Sequence, residues 1–310
     1  MRCLVTGASG HLGSYLTKLL VREGAAVTAL VRPQSDLWRL DGVLDQIRVL
    51  RADLSDIESA APEINRVKPG AVFHLAWQGV TSAFKDTPEQ MTLNVMGSLK
   101  LFEIVRSGGG CNLWVGLGSQ AEYGPHDAAL TEETPTRPLT AYGVGKLCAG
   151  LLTKKLCELE GVRYVWLRLL ATYGPHDDER HLIPSVISKL LAGERPSLTL
   201  AEQIWDYLYV EDAAEAIYSL AVAPNAQGVF NLGSGQNVSV REVLERVRDL
   251  IDPALPLGFG EIPYPTGQTM RLETSIERLR EATGWEPRVQ LEEGLRRTIE
   301  WHRERRSRFL

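Results

Sequence analysis

The chain has 310 residues, 44% of them hydrophobic and 24% charged, with a formal net charge of −5. Those figures are those of an ordinary soluble globular protein, long enough for one large α/β domain or a large domain plus a small one. The acid surplus excludes a general nucleic-acid binder, and no apolar run approaches the length of a membrane span.

The chain opens on an apolar segment, Cys3-Leu4-Val5. Next comes Thr6-Gly7-Ala8-Ser9-Gly10-His11-Leu12-Gly13, which leads into a helical pattern of Leu12, Leu16, Leu19 and Leu20. A strand that turns on glycines into a helix makes an anion site, because free N–H groups and the positive end of the helix dipole face whatever lies over the turn. Gly7 permits the turn, Gly10 lets the backbone approach a pyrophosphate, and Gly13 lets the helix pack against the strand. Strand, turn and helix together mark a dinucleotide site. An N-terminus that enters a strand directly is read as carrying no signal peptide. Cys3, Cys111, Cys148 and Cys157 are far apart with no C-x-x-C pair, so they read as reduced thiols of a cytoplasmic protein.

Further strand patterns lie at 27–31, at 47–50 (running to Asp53), and at 71–75, 113–117 and 164–169, with helical patterns at 90–106 and 142–160. This alternation predicts a Rossmann-like, doubly wound parallel sheet covered on both faces, with ligands at the carboxyl ends of the strands. After Arg168 the rhythm changes. A polar loop at 172–180 precedes a helix at 182–191, a strand at 207–210 and a helix at 212–222 capped by Asp212. A strand at 229–232, a helix at 240–251, a Pro- and Gly-rich loop at 257–268 and helices at 276–282 and 291–306 follow. The expected organisation is α/β: a dinucleotide-binding domain at 1–172, to which 204–228 returns, and a smaller C-terminal α/β substrate lobe at 173–310.

Tyr142-Gly143-Val144-Gly145-Lys146 places a phenol and an ammonium on one helix face. An ammonium nearby lowers a phenol's pKa from about 10, which makes the pair a plausible acid/base unit, although Y-x-x-x-K alone is as readily a surface helix pair. Ser119 follows the fifth strand and can polarise a carbonyl oxygen. Asn94 lies inside a helix, where an amide is unfavourable unless it is used. After the second strand stands Arg32, not the acid that bonds the ribose 2′-OH of NAD. An arginine suits the 2′-phosphate of NADP, and Ser35 adds a donor; the alternative is that Arg32 stacks on adenine or faces water. The segment 175–181 holds His176, His181, Asp177, Asp178 and Glu179 without a strong ligand spacing. It reads as a solvated substrate loop, and no metal is expected. The arginines of 296–308 fit cations at a helix C-terminus.

Taken together, TGASGHLG, Asp53-Leu54, His74-Leu75-Ala76, Asn94, Ser119, Y-x-x-x-K and Tyr173-Gly174-Pro175 resemble the extended short-chain dehydrogenase/reductase family. More narrowly, the chain is similar to its NAD-dependent epimerase/dehydratase group, which acts on nucleotide sugars. The resemblance extends to Gly284-Trp285-Glu286-Pro287 and Glu292-Glu293-Gly294-Leu295. It implies that Tyr142 is the acid/base, that Lys146 holds the nicotinamide ribose and lowers the Tyr142 pKa, and that Ser119 bonds the reacting oxygen. It implies that Thr6, Gly7, Ser9, Gly10, His11, Leu12 and Gly13 cradle the pyrophosphate. Asp53 and Leu54 then meet the adenine and Leu75 and Ala76 the ribose, with Asn94 in the cofactor set. The implied substrate contacts are Ser119, Gln120, Arg180, His181 and Arg271, whose guanidinium suits a diphosphate. A homodimer through the Tyr142 helix is implied as well.

The chain also departs from the group. Dehydratases carry an Asp-Glu pair after the Ser/Thr position, where this chain has Gln120 and Ala121; Glu122 is one place further on and points differently. Ala171 and Trp205 stand where the group often has Asn and Arg. The expected activity is therefore an NADP(H)-dependent reductase of a nucleotide-linked 4-keto-6-deoxy sugar. The alternatives are an NAD-dependent nucleotide-sugar 4-epimerase and a non-catalytic NADP-sensing regulator.

Overall fold

A computed structural model describes residues 1–80, 84–265 and 267–307. Thr266 of the expected loop at 257–268 and Arg308 of the arginine-rich tail lie outside the described residues.

In chain order the first half contains β1 (Arg2–Thr6), α1 (His11–Arg22), β2 (Ala26–Val31), β3 (Arg48–Arg51), α2 (Ala61–Val67) and β4 (Ala71–His74). A π-turn, Gln90–Val95, leads into α3 (Met96–Gly108), followed by β5 (Leu113–Ser119), α4 (Ala141–Glu160) and β6 (Arg163–Leu169). The second half contains β7 (Ala171–Tyr173), α5 (Leu182–Leu191), β8 (Ile204–Tyr209), α6 (Val210–Val222) and β9 (Gly228–Leu232). It ends with β10 (Asn237–Ser239), α7 (Val240–Ile251), β11 (Arg271–Leu272), α8 (Glu277–Thr283) and α9 (Leu291–Ser307). Among the described residues, no helix is long and apolar enough to cross a membrane.

Seven strands form one parallel sheet in the order β3-β2-β1-β4-β5-β6-β9. Alternate residues of each strand serve opposite faces. Val5, Phe73 and Val115 pack under α1 and α6 with Leu16, Leu20, Ile217 and Leu220. Their neighbours Leu4, Val72 and Trp114 pack on the other face, under α2, α3 and α4, with Ile64, Leu101 and Phe102. The near-continuous apolar runs of the sequence follow from this double burial. A second sheet runs β10-β8-β11, with β7 on β8, and shares its own core with α5, α7 and α9. Of the stretch 204–228 expected to return to the main domain, 204–209 is β8 of this second sheet. The chain comes back through α6, which packs on α1, and β9, which joins β6.

Two local expectations are corrected. Asp212 is not the cap of α6: β8 runs directly into the helix, which leaves Tyr209 at the N-cap. The buried Asp212 carboxylate instead accepts from the N–H groups of Arg288 and Val289 (3.2 and 2.9 Å) and anchors the approach to α9. The strand expected at 207–210 begins earlier, at Ile204, because Ile204 is paired on both sides, with Ser239 and Arg271.

The glycine turn carries the tightest packing. A Cβ on Gly13 would lie 2.0 Å from the Gly7 carbonyl oxygen, whereas one on Gly24 (φ +73°) would meet nothing within 4 Å. Gly13→Ala is expected to lower the unfolding free energy by about 3 kcal/mol through overpacking, and Gly24→Ala by about 1 kcal/mol through backbone strain alone. Urea denaturation of the two variants checks this, and equal losses would contradict it.

Candidate active site

At the carboxyl edge of the main sheet lies a cavity of about 1000 Å³. Its walls include Gly7, Ser9 and Gly10 of the glycine turn, Arg32, Ser35, Asp36 and Arg39 beyond β2, and Leu54 beyond β3. They continue with Leu75, Ala76, Trp77 and Gln78 beyond β4, Gln90 and Asn94 of the π-turn, and Arg180. Gly7 has φ +70°, and a Cβ there would lie 2.8 Å from the Ala76 nitrogen, so the two strand ends meet only with glycine at that place. The Gly10 N–H donates to the Gly7 carbonyl at 2.9 Å. Gly10 is the N-cap of α1 and brings no side chain to it, so the first N–H groups of the helix point outward. Turn, helix end and volume fit a dinucleotide.

A directional chain of buried hydrogen bonds supports this edge. Ser98 Oγ donates to the Asn94 carbonyl (2.7 Å), so it accepts from His74 Nε2 (2.7 Å). His74 Nδ1 is then the acceptor for Thr6 Oγ1 (2.8 Å), which in turn accepts from the Ala76 N–H (3.1 Å). Burial pushes the His74 imidazole down to about 3, with the Lys146 charge acting in the same direction. The hydroxyl of Thr6 is thus used inside the protein. The Asn94 side chain is also used internally: its Oδ1 accepts from the Gln78 N–H (2.8 Å) and its Nδ2 donates to the Gln78 carbonyl (3.0 Å), fixing the loop after β4. Asp53 caps the turn after β3 through Ser55 and accepts from Gln78 Nε2 (2.8 Å).

β5 ends at Ser119, which caps a short turn, Gln120–Glu122. Ser119 Oγ accepts from the Ala121 N–H (3.1 Å), while the Glu122 carboxylate reaches back to the Ser119 N–H (2.9 Å). Glu122 also accepts from Trp166 Nε1 (3.0 Å) and Arg168 Nε (2.9 Å), so it points beneath the sheet end, away from the cavity. α4 is capped by Thr140, whose Oγ1 accepts from the Gly143 N–H (3.1 Å), and it turns Tyr142 and Lys146 toward β5. Burial pushes the Tyr142 phenol up to about 12, the nearby Ser119 hydroxyl lowers it, and the Glu122 charge raises it. Burial also pulls the Lys146 ammonium down to about 7 against the raising effect of Glu122. Lys146 Nζ donates to the Leu117 carbonyl (2.6 Å) and lies 4.0 Å from the Trp77 ring centre and 5.9 Å from that of Tyr142. The ammonium is held by a carbonyl and an indole, and the neighbour that lowers the phenol is Ser119.

The segment 175–181 is solvated only at its end, where Glu179, Arg180 and His181 are exposed, and its start is tied to the main sheet. His11 Nε2 donates to the Pro175 carbonyl (3.0 Å), Tyr15 OH donates to the same oxygen (3.2 Å), and Arg39 Nε donates to the His176 carbonyl (2.8 Å). Asp177 is buried, and its Oδ1 accepts from His181 Nδ1 (2.9 Å). His181 titrates above its usual range because of that bond. Asp177 lies between His11 and His181, Glu179 pairs with Arg305, and His176 Nδ1 is buried without a hydrogen-bond partner. Arg180 forks onto Asp178 and still reaches the cavity wall.

Of the residues expected at the cofactor and substrate, the cavity brings together Gly7, Ser9, Gly10, Arg32, Ser35, Leu54, Leu75, Ala76, Asn94 and Arg180. Thr6, Leu12 and Gly13 are buried supports. Arg271 is exposed on β11 in an ion pair with Glu273 and is not part of the cavity wall. Trp77, Gln78 and Gln90 were not singled out by the sequence reading. Their position directly after β4, or facing it from the next helix, was the available signal.

The model of the NAD dependent epimerase/dehydratase family matches residues 3–233. The UDP-glucose 4-epimerase of Mycolicibacterium smegmatis is 28% identical, with 98% of this chain and 99% of that protein covered. The dTDP-glucose 4,6-dehydratase of Mycobacterium tuberculosis is 29% identical, with 99% and 95% covered. Among solved structures, the UDP-glucose 4-epimerase of Thermus thermophilus in complex with NAD superposes with a TM-score of 0.87 at 28% identity, covering 98% and 99% of the two chains.

The hydrogen-bond chain predicts the protonation of His74. Its folded pKa of about 3 lies below the 6.5 of a free imidazole, so its contribution to stability is present above pH 6.5 and is lost as pH falls toward 3. Ring 15N spectra are expected to show a neutral Nε2–H tautomer unchanged down to pH ~5. A ring that titrates near the free value would refute the chain.

Proposed function

The chain belongs to the NAD dependent epimerase/dehydratase family, and from that premise we propose that it is an NAD-dependent epimerase inverting C4 of a nucleotide-linked hexose. The observation that carries the reading is the Ser119–Tyr142 pair at the end of β5 with Gln120 and Ala121 beside it. Epimerisation at C4 asks for one group that takes a proton from the 4-hydroxyl and returns it. Elimination of water asks for a further acid and base next to the serine. Gln120 and Ala121 supply neither, and Glu122 is committed to Ser119, Trp166 and Arg168. The reductase expected first from the sequence has less support, because the relatives named above are epimerases and dehydratases.

The cofactor reading moves from NADP to NAD for two reasons. The family and the Thermus epimerase are described with NAD. On the cavity wall, Asp36 stands near Arg32 in sequence and opposes the extra charge of a 2′-phosphate.

When bound, NAD supplies the hydride acceptor and donor for C4. The chain's own residues do the rest. The N–H groups of the glycine turn and of the start of α1 hold the diphosphate. Tyr142 takes the proton of the 4-hydroxyl at its phenol oxygen and later returns it. Ser119 hydrogen-bonds the same oxygen and steadies the charge that develops there. Because burial keeps the phenol protonated in the neutral range, turnover is expected to rise with pH.

α4 exposes Val144, Leu151, Leu152 and Leu159, with Met96 exposed on the neighbouring α3. This face supports a homodimer through α4.

The test uses UDP-galactose and UDP-glucose with the purified chain. The expected result is interconversion without net production of NADH, with NAD released when the protein is denatured. Tyr142→Phe is expected to lower kcat by about 10²–10⁴-fold while the protein still retains cofactor. Formation of a 4-keto-6-deoxy product from dTDP-glucose, or consumption of NADPH by a keto sugar, would overturn the reading. Leu151→Asp is expected to give a monomer in light scattering; a monomeric parent chain would remove the dimer.

A further inference from the structure

The ammonium of Lys146 is 3% exposed, and among the described residues no carboxylate is within ion-pair distance of it. Its three N–H donors need partners. One reaches the Leu117 carbonyl, and on another side the Nζ faces the Trp77 ring, 4.0 Å from its centre. Trp77 also forms part of the cavity wall, and its ring meets that of Tyr142 edge to face at 6.2 Å and 88°. One indole therefore touches both members of the acid/base pair and borders the space a ligand would fill.

Its orientation is fixed from behind. Gln90 is 1% exposed, and its Nε2 donates to the carbonyls of Gly79 (2.8 Å) and Phe84 (2.9 Å). Those two bonds leave Gln90 Oε1 as the acceptor for Trp77 Nε1 (2.8 Å). On the other side, a Cβ on Gly145 would sit 3.3 Å from Trp77 Cζ2, so α4 packs tightly against the ring at that glycine. The ring is clamped with its face toward Nζ.

We propose that Trp77 is a positioning residue for the acid/base pair: its indole face holds the buried Lys146 ammonium in place and in its charged form. The inference rests on the assignment of Tyr142 and Lys146 under the proposed function. A ring quadrupole attracts a desolvated cation, which an aliphatic side chain of similar bulk does not. The charged and titratable groups facing this corner are Glu122 from the turn after β5, His74 from β4 and Tyr142 one turn earlier on α4. Lys85 Nζ lies 5.8 Å from the centre of the Tyr142 ring. Glu122 is paired with Arg168, so after the Leu117 carbonyl the indole is the nearest group that favours the charge on Lys146. Burial already draws the ammonium to about 7, and loss of the ring face lowers it further.

The test follows the ε-carbon NMR signal of Lys146 through pH in selectively labelled protein, assigned by its disappearance in Lys146→Met. Trp77→Leu is expected to lower the midpoint by about one pH unit, a tenfold change in the ratio of charged to neutral amine. Trp77→Phe, which keeps a ring face, is expected to hold it within a few tenths. Trp77→Met gives the same comparison if the leucine variant does not fold. Coincident midpoints in wild type and Trp77→Leu, or an equal shift in Trp77→Phe, would overturn the inference. The titration needs no substrate, so an absence of epimerisation would count against the proposed function and leave this measurement intact.

Discussion

The first turn of α1 rests against the carbonyl of Gly7, closer than any residue with a side chain at position 13 would allow. That contact fixes where the helix starts and directs its free N–H groups over the sheet edge. The same turn brings Gly7 against Ala76, so the ends of β1 and β4 become one surface. From there the bonds run through Thr6, His74 and Ser98 to the π-turn, and Asn94 holds the loop after β4. Each donor in the chain has one acceptor, and a buried polar network is stable only when it is complete in this way. A local steric constraint at two glycines is thereby transmitted across the ends of β1 and β4 to the π-turn.

The acid/base pair stands at the end of β5, with Lys146 buried and Tyr142 half-buried. Burial moves the two groups in opposite directions, the Tyr142 phenol upward and the Lys146 ammonium downward, and each shift favours the neutral form. The pair therefore sits uncharged more readily than either group would in water. Beneath it, Glu122 and Arg168 form a buried ion pair, with Glu122 also held by Ser119 and Trp166. Such a pair gives little net stability once desolvation is counted. Here it fixes the Ser119 backbone through the N–H that Glu122 accepts.

What the sequence made legible was local. The glycine spacing, the apolar runs of β1, β4, β5 and β6, and the Y-x-x-x-K face of α4 depend on neighbours a few residues away, and all appear where the patterns put them. What it hid depended on distant partners. Gln90–Val95 has an ordinary helical pattern, and its widening into a π-turn accompanies the side-chain bonds that Gln90 and Asn94 make to the loop at 77–79. Trp77 after an apolar strand looks like core. Asp212 satisfies the local rule for a cap, yet its partners are Arg288 and Val289. Arg271 fitted a family position, and the structure gives it Glu273. The choice between reductase and epimerase was least legible, since both use the same serine, tyrosine and lysine.

The segment 175–181 shows how composition misleads when charges neutralise one another. Pro175 offers only a carbonyl, so His11 must carry its proton on Nε2 to bond it. Its Nδ1 lies 3.3 Å from Asp177 Oδ1, and burial lowers the His11 pKa while that carboxylate raises it. Asp177 also accepts from the Asp178 N–H at 2.8 Å and from His181, whose pKa is raised by the contact. One aspartate thus lies between two imidazoles, those of His11 and His181. The first joins the glycine turn to this loop and the second starts α5. Together they link the main sheet to the lobe that covers it, with polar groups doing at a domain junction what apolar packing does within each core.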